Sequence, residues 1–409
     1  MDLQSRTRIS APSPSRRSEV EPFKVMDVMR AAAAREAAGH KIIHMEVGQP
    51  GTAAPDLALD AIERTMRTDK MGYTLALGLP ELRARISQHY KDRYGLAIAP
   101  ERIVVTTGSS SGFLLSFISA LDAGDRILLP TPGYPCYLNV ALSLNLSPVF
   151  LASSADNRWT LDTDHLAETG RKYNAKALLV ASPNNPPGTM LAPERLEAVV
   201  KACRDSGMWL ISDEIYHGLT YGVREQSALA FSDDAIVINS VSKYHSMTGW
   251  RIGWMVVPDR LVRTVERLAQ NYFICAPTVS QHAALAAFEA TPELERLKQV
   301  YATNRALLVD ALPKLGFDCS VPADGAFYLY ANVAKLTDSS TTFMRRMLDE
   351  AGIAATGGAD FHMRGDFPVV GAASAADEAK RGEQFVRFSY SITTEEVQEA
   401  IRRLQTWLR

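Results

Sequence analysis

The sequence predicts an α/β protein, with a large domain on a mostly parallel, doubly wound sheet and a smaller α+β domain beside it. Three observations carry this. Short apolar segments alternate with helical ones between residues 103 and 257. The alternation then gives way to a largely helical stretch and, after residue 325, to a mixed strand and helix pattern. A chain of 409 residues is also longer than a single ordinary core supports.

In chain order, residues 24–38 read as a helix stopped by Gly39. An apolar strand at 42–47 leads into the permissive turn Gly48-Gln49-Pro50-Gly51. Residues 79–94 are helical, 103–106 a strand and 110–121 a helix. Residues 127–129, 177–180 and 209–212 form short buried strands, with a helix at 193–206 that carries proline in its first turn. Strands follow at 236–240 and 252–257. From Arg260 onward helices dominate, broken near Pro277, Pro292 and Pro313, before strands at 325–331 and 385–391 and a last helix from Thr394. No internal repeat is present.

Composition narrows the function. A hydrophobic fraction of 46% and a charged fraction of 22% are globular values. The net charge of −2, without blocks of like charge, argues against nucleic acid or an anionic membrane as partner. No apolar stretch is long enough to span a bilayer. Cys136, Cys203, Cys275 and Cys319 are far apart and form no pair of zinc spacing, so reduced thiols, a cytoplasmic setting and no metal are expected. Residues 1–22 contain arginine and serine but no apolar run, which excludes a secretory signal. Transit peptides share that composition, but a disordered tail is the expectation.

Four segments carry chemistry. Ser240-Val241-Ser242-Lys243 ends a strand, and Met247-Thr248-Gly249-Trp250-Arg251 follows it. Hydroxyls and a guanidinium beside one lysine suit a phosphate-bearing aldehyde, because the amine can form an imine while serine and arginine hold the phosphate. Asp213-Glu214-Ile215-Tyr216 places an acid and a phenol at the carboxyl end of a buried strand, where open α/β sheets bind ligands. Ser182-Pro183-Asn184-Asn185-Pro186-Pro187-Gly188 is a rigid loop that can aim an asparagine amide. Thr107-Gly108-Ser109-Ser110-Ser111-Gly112 joins a strand to a helix and offers an anion site at the helix N-terminus. It is neither a dinucleotide nor a nucleoside-triphosphate loop.

In this order, these segments and the late Val386-Arg387-Phe388-Ser389 resemble the class I/II (fold-type I) aminotransferases, the aspartate aminotransferase superfamily, from about Phe23 to the C-terminus. The resemblance implies pyridoxal 5'-phosphate, with Lys243 as Schiff-base lysine and proton shuttle and Asp213 paired with the pyridine nitrogen. Tyr216 and Asn185 would reach the ring's phenolate oxygen, and Tyr134 would stack on the ring. Gly108, Ser109, Ser110, Ser240 and Arg251 would bind the phosphate. Arg387 would grip the substrate α-carboxylate, with a backbone contact from Gly48. Tyr73 would reach the phosphate of a neighbouring subunit, making a homodimer with shared active sites. Residues 55–305 would form the large cofactor-binding domain, with 23–54 and 306–409 as the small one.

The implied reaction moves an amino group from an L-amino acid to a 2-oxo acid. The same motifs serve relatives that carry out β-elimination or C–S cleavage, cyclisation or oxidation. A non-catalytic cofactor sensor is disfavoured, because the pattern begins near the N-terminus with no room for a DNA-binding domain. Two departures stand out: Pro187 replaces the usual threonine, and 361–383 is long and lacks periodicity. The apolar stretch Phe367-Pro368-Val369-Val370 reads either as a lid over the substrate or as part of a mobile surface insertion without a role. No second arginine marks a dicarboxylate substrate.

Overall fold

The computed structural model describes residues 12–409, so the first eleven residues of the expected tail lie outside the described residues. The rest of that segment is exposed but attached. Ser15 caps a 3₁₀ turn at Arg16–Ser18, and the Glu21 carbonyl accepts from the Asn139 amide at 3.1 Å.

The chain then forms α1 (Lys24–Ala37), β1 (Ile43–His44), α2 (Asp56–Thr68), α3 (Pro80–Tyr94), β2 (Ile103–Thr106) and α4 (Gly108–Ala120). Next come β3 (Arg126–Thr131), α5 (Pro135–Ser143), β4 (Ser147–Ala152), α6 (Leu166–Lys172), β5 (Ala175–Ala181), α7 (Pro193–Ser206), β6 (Trp209–Asp213), β7 (Ile236–Ser240) and β8 (Gly253–Val256). Helices α8 (Asp259–Tyr272), α9 (Thr278–Ala287) and α10 (Thr291–Ala311) lead to β9 (Tyr328–Asn332), α11 (Ser340–Arg346), β10 (Ile353–Ala354) and β11 (Thr356–Gly357). The chain ends with β12 (Val369–Val370), α12 (Ala375–Gly382), β13 (Phe385–Ser389) and α13 (Thr394–Trp407).

The large sheet has the order β12-β4-β3-β5-β6-β7-β8-β2, and only β8 runs against the rest. Strand alternation feeds a core on each face. Leu128, Leu178, Leu210 and Val237 pack with α2, α3, α7 and α9 on one side. Ile127, Leu179, Ile211 and Ile238 pack with α4, α5 and α8 on the other. A second, antiparallel sheet β11-β13-β9 has its own core around Phe327, Phe343 and Phe388. N-terminal β1 pairs with β10, which ties residues 43–44 to the C-terminal part.

The sequence patterns left α2, α5, β4 and α6 unassigned. Pro148 sits inside β4, and proline ordinarily argues against a strand in the middle of a sheet. The segment after Phe361 differs most from expectation. Its apolar stretch is not a cover over the substrate: β12 adds an outer strand beside β4, with Phe150 N–H donating to the Pro368 carbonyl at 2.8 Å. The Phe367 ring packs on Phe150, away from the cavity described below, at a centroid distance of 5.9 Å.

The following helix, α12, starts at a Ser374 cap and buries Glu378 completely. That carboxylate accepts from Thr131 at 3.1 Å and faces His362 Nδ1 at 2.7 Å and the Arg381 guanidinium at 3.2 Å. Glu378→Ala would strand three polar partners, two of them buried. It is expected to lower stability by about 3 kcal/mol, read as a fall in the thermal unfolding temperature.

Candidate active site

Because β3, β5, β6 and β7 run parallel, their carboxyl ends lie along one edge, and the loops leaving them face a common space. Strand β8 runs the other way, so the segment entering it, with Arg251, reaches the same edge. The result is a cavity of about 670 Å³, which is ample for an aromatic phosphate and an amino acid together. Lys243, Asp213, Tyr216, Asn185, Tyr134, Ser109, Ser110, Arg251, Gly48 and Arg387 all line it.

Asp213 ends β6 and is buried. Ile215 N–H donates to Oδ1 at 3.1 Å and the Tyr137 hydroxyl donates to Oδ2 at 2.5 Å. Burial pushes the carboxyl up from 3.8 to about 6, against the pull of these two donors. The neighbouring Glu214 points the opposite way, and its Oε1 is held by Ser212, Ser227 and the Ala228 N–H. One strand step thus separates the acid of the site from an acid of the scaffold. Lys243 follows the adjacent strand β7, and its Nζ donates to the Gly48 carbonyl at 2.5 Å. Burial, with Arg387 nearby, lowers the amine from 10.5 to about 8, which brings the neutral, nucleophilic form much closer to neutral pH.

The anion end is built around α4. Thr107 supplies no side-chain cap, so the first N–H groups of the helix remain available. Gly108 has φ +72°, and a Cβ there would overlap the Arg251 guanidinium, so glycine lets the arginine lie against the helix start. Ser240 is not on the wall. Its hydroxyl lies 2.9 Å from the Ile252 carbonyl and 2.7 Å from the Ser242 hydroxyl, and Ser242 is the serine that lines the cavity.

At the other end Arg387, on β13, is buried between the rings of Tyr328 (4.3 Å) and Phe361 (4.7 Å). It donates to the Asn185 amide oxygen at 2.9 Å and to the Glu46 carbonyl at 2.5 Å, and its Nε is buried without a partner. With its oxygen engaged, Asn185 keeps its N–H₂ donors for the cavity. Tyr216 shares a 2.7 Å hydrogen bond with Tyr328, and Gly48 has to be small because a Cβ would overlap the Tyr328 hydroxyl.

Tyr137, Tyr328, Phe361 and Phe23 were not singled out by the sequence, although Tyr137 lies three residues beyond Tyr134 in the same segment. Tyr73 is not brought to this cavity; it is 83% exposed.

The donor set fits pyridoxal phosphate. A buried carboxylate, a half-buried amine of lowered pKa, a helix N-terminus with an arginine and a buried arginine with a free N–H surround one cavity.

A family model described as aminotransferase class I and II matches residues 40–404. A valine–pyruvate aminotransferase of Mycobacterium tuberculosis is 41% identical over 96% of this chain and 97% of its own length. A (5-formylfuran-3-yl)methyl phosphate transaminase of Methanocaldococcus jannaschii is 32% identical over 95% of this chain and 97% of its own. The crystal structure of an aminotransferase from Mycobacterium tuberculosis superimposes with a TM-score of 0.91 at 40% identity, over 97% of this chain and 99% of the other.

Burying Asp213 has a stability consequence whose sign follows from its raised pKa. Above about pH 6 the folded protein without cofactor holds a desolvated charge, and the cost fades as pH falls toward 3.8. Asp213→Asn is therefore expected to stabilise the cofactor-free protein at pH 7.5, by on the order of 2–3 kcal/mol. That gain should shrink as pH drops below 6, as checked by thermal unfolding across pH.

Proposed function

The chain belongs to the class I and II aminotransferases, and on that premise we propose how its own residues carry out pyridoxal-phosphate-dependent amino-group transfer. The single observation that carries the assignment is a half-buried amine, Lys243, and a buried carboxylate, Asp213, brought together from adjacent strands in one cavity. The substrates are an amino acid and a 2-oxo acid.

Pyridoxal phosphate, when bound, supplies an aldehyde that joins to amines and a ring that accepts the electrons of a broken Cα–H bond. We assign Lys243 as the residue that would hold the aldehyde of the bound group and as the base that would carry a proton between the substrate Cα and the carbon on the other side of its nitrogen. Its amine of lowered pKa suits both tasks. Asp213 keeps a proton on the ring nitrogen, and Tyr137 fixes that carboxylate's direction. Tyr216 and Asn185 donate to the ring's phenolate oxygen. Tyr134 packs on the ring face.

Ser109, Ser110, the N–H groups at the start of α4 and Arg251 hold the phosphate, with Gly108 giving the arginine room. Ser240 contributes by positioning Ser242. Arg387 grips the substrate α-carboxylate, and the Tyr328 and Phe361 rings shield it from water. Gly48 contributes its carbonyl as the resting partner of Lys243.

We assign residues 55–305 to the cofactor-binding body and 23–54 with 306–409 to a smaller one. The β1–β10 pairing and the Arg387 bond to Glu46 support that grouping. We place the enzyme in the cytoplasm as a homodimer. No helix among the described residues is long and apolar enough to cross a membrane. Tyr73, Leu75, Tyr272 and Ile274 are exposed hydrophobic side chains, and the Thr278 hydroxyl on the Gly72 carbonyl draws their two segments together. A partner on this face would bury them and receive Tyr73 in its phosphate site.

Adding one amino acid alone to the loaded enzyme should bleach the absorbance of the lysine-bound cofactor and release one oxo acid per site, and a 2-oxo acid should restore it. An amino acid consumed catalytically without bleaching would point to elimination or oxidation. Arg387→Lys loses the planar fork, so KM for amino and oxo substrates should rise together, by about 2 kcal/mol or some 30-fold, as measured by steady-state kinetics. In mixtures of Tyr73→Phe and Lys243→Ala chains, hybrids should regain one site of normal cofactor affinity, which equilibrium binding would show.

A further inference from the structure

Resting on the transaminase reading above, we propose that the substrate amino acid carries an uncharged, apolar side chain, and that dicarboxylic amino acids are rejected. Once the carboxylate is assigned to Arg387, the reacting carbon to Lys243 and the phosphate to Arg251, the cavity has spent its cations. Among the described residues that line it, these three are the only lysines and arginines. Arg251 is further engaged with the Thr248 carbonyl at 2.9 Å.

Beside Gln49, Thr248 and Asp360, the unassigned lining has one apolar stretch, which comes from the start of α1. Phe23, Val25, Met26 and Met29 line it, facing Tyr134 and Phe361. Phe23 and Tyr134 meet edge to face at 5.5 Å, which fixes the end of this wall. Lys24, in the same turn, is not on the lining. Methionines adapt to side chains of differing shape, so this wall suits aliphatic and thioether groups.

The charge that is present opposes an acidic side chain. Asp360 lines the cavity and is buried; one oxygen is held by Arg364 at 2.6 Å and the other has no partner. Arg364 is spent there, on the Ala359 carbonyl and beside Glu21 at 3.9 Å. The two segments drawn together at the proposed dimer face, 71–76 and 271–277, contain no lysine or arginine. A second carboxylate in this space would be desolvated without a counter-charge.

The test is the half-reaction of the loaded enzyme with single amino acids. L-leucine, L-methionine and L-valine should convert the bound cofactor with kcat/KM about a hundredfold or more above L-aspartate and L-glutamate. Met26→Arg, at an exposed position on the rim of the wall, should raise L-aspartate relative to L-leucine about tenfold while the absorbance of the lysine-bound cofactor persists. Conversion of L-aspartate or L-glutamate as fast as L-leucine overturns the side-chain class and leaves transamination standing. Silence with every amino acid overturns both. An unchanged preference in Met26→Arg overturns the assignment of the side-chain wall to α1.

Discussion

A buried carboxylate and a half-buried amine, drawn into one cavity from the ends of neighbouring strands, form the constraint around which the molecule is arranged. Neither Asp213 nor Lys243 gains stability from its place: burial raises one pKa and lowers the other. The surroundings limit that cost without abolishing it. Tyr137 and the Ile215 N–H support the carboxylate, and the Gly48 carbonyl receives the amine. A site that is expensive when empty is one that a ligand of matching charge stabilises on binding.

The parallel sheet delivers these groups because strand ends are the one place where side chains from several distant segments share a water-accessible edge while their strands stay buried. Doubly wound packing supplies the rigidity. Helices α4, α5 and α8 cover one face and α2, α3, α7 and α9 the other, so β6 and β7 have little freedom to shift. The second sheet completes the site by presenting Arg387 from β13, anchored to the Glu46 carbonyl beyond β1. The carboxylate anchor is thus positioned by pairing between the two ends of the chain, β1 with β10.

Much of this was legible in the sequence where chemistry and punctuation coincide. Lys243, Asp213, Asn185, Ser109 and Arg251 stand at or just beyond strand ends, flanked by glycine, proline or hydroxyl residues. The aromatic part was not legible. Tyr137, Tyr328, Phe361 and Phe23 are ordinary core residues by type, and only the fold brings 23, 137, 328 and 361 around one cavity. Segments 361–383 misled for a different reason. A two-residue strand and an eight-residue helix are too short to show a period, and the remaining signals were the Ser374 cap and the acidic first turn of α12. Helix α2 went unassigned although a signal was present: Ala58 and Ile62, four apart, are its buried stripe.

The central claim is that Lys243 is the base that moves the substrate Cα proton. The most direct measurement follows the loss of the α-deuterium of a labelled L-amino acid to solvent, by NMR, in wild-type and Lys243→Ala enzymes loaded with cofactor. Exchange that falls by several orders of magnitude in the variant, with cofactor still bound through its phosphate contacts, is the expected result. Exchange at a near-wild-type rate in Lys243→Ala would contradict the assignment.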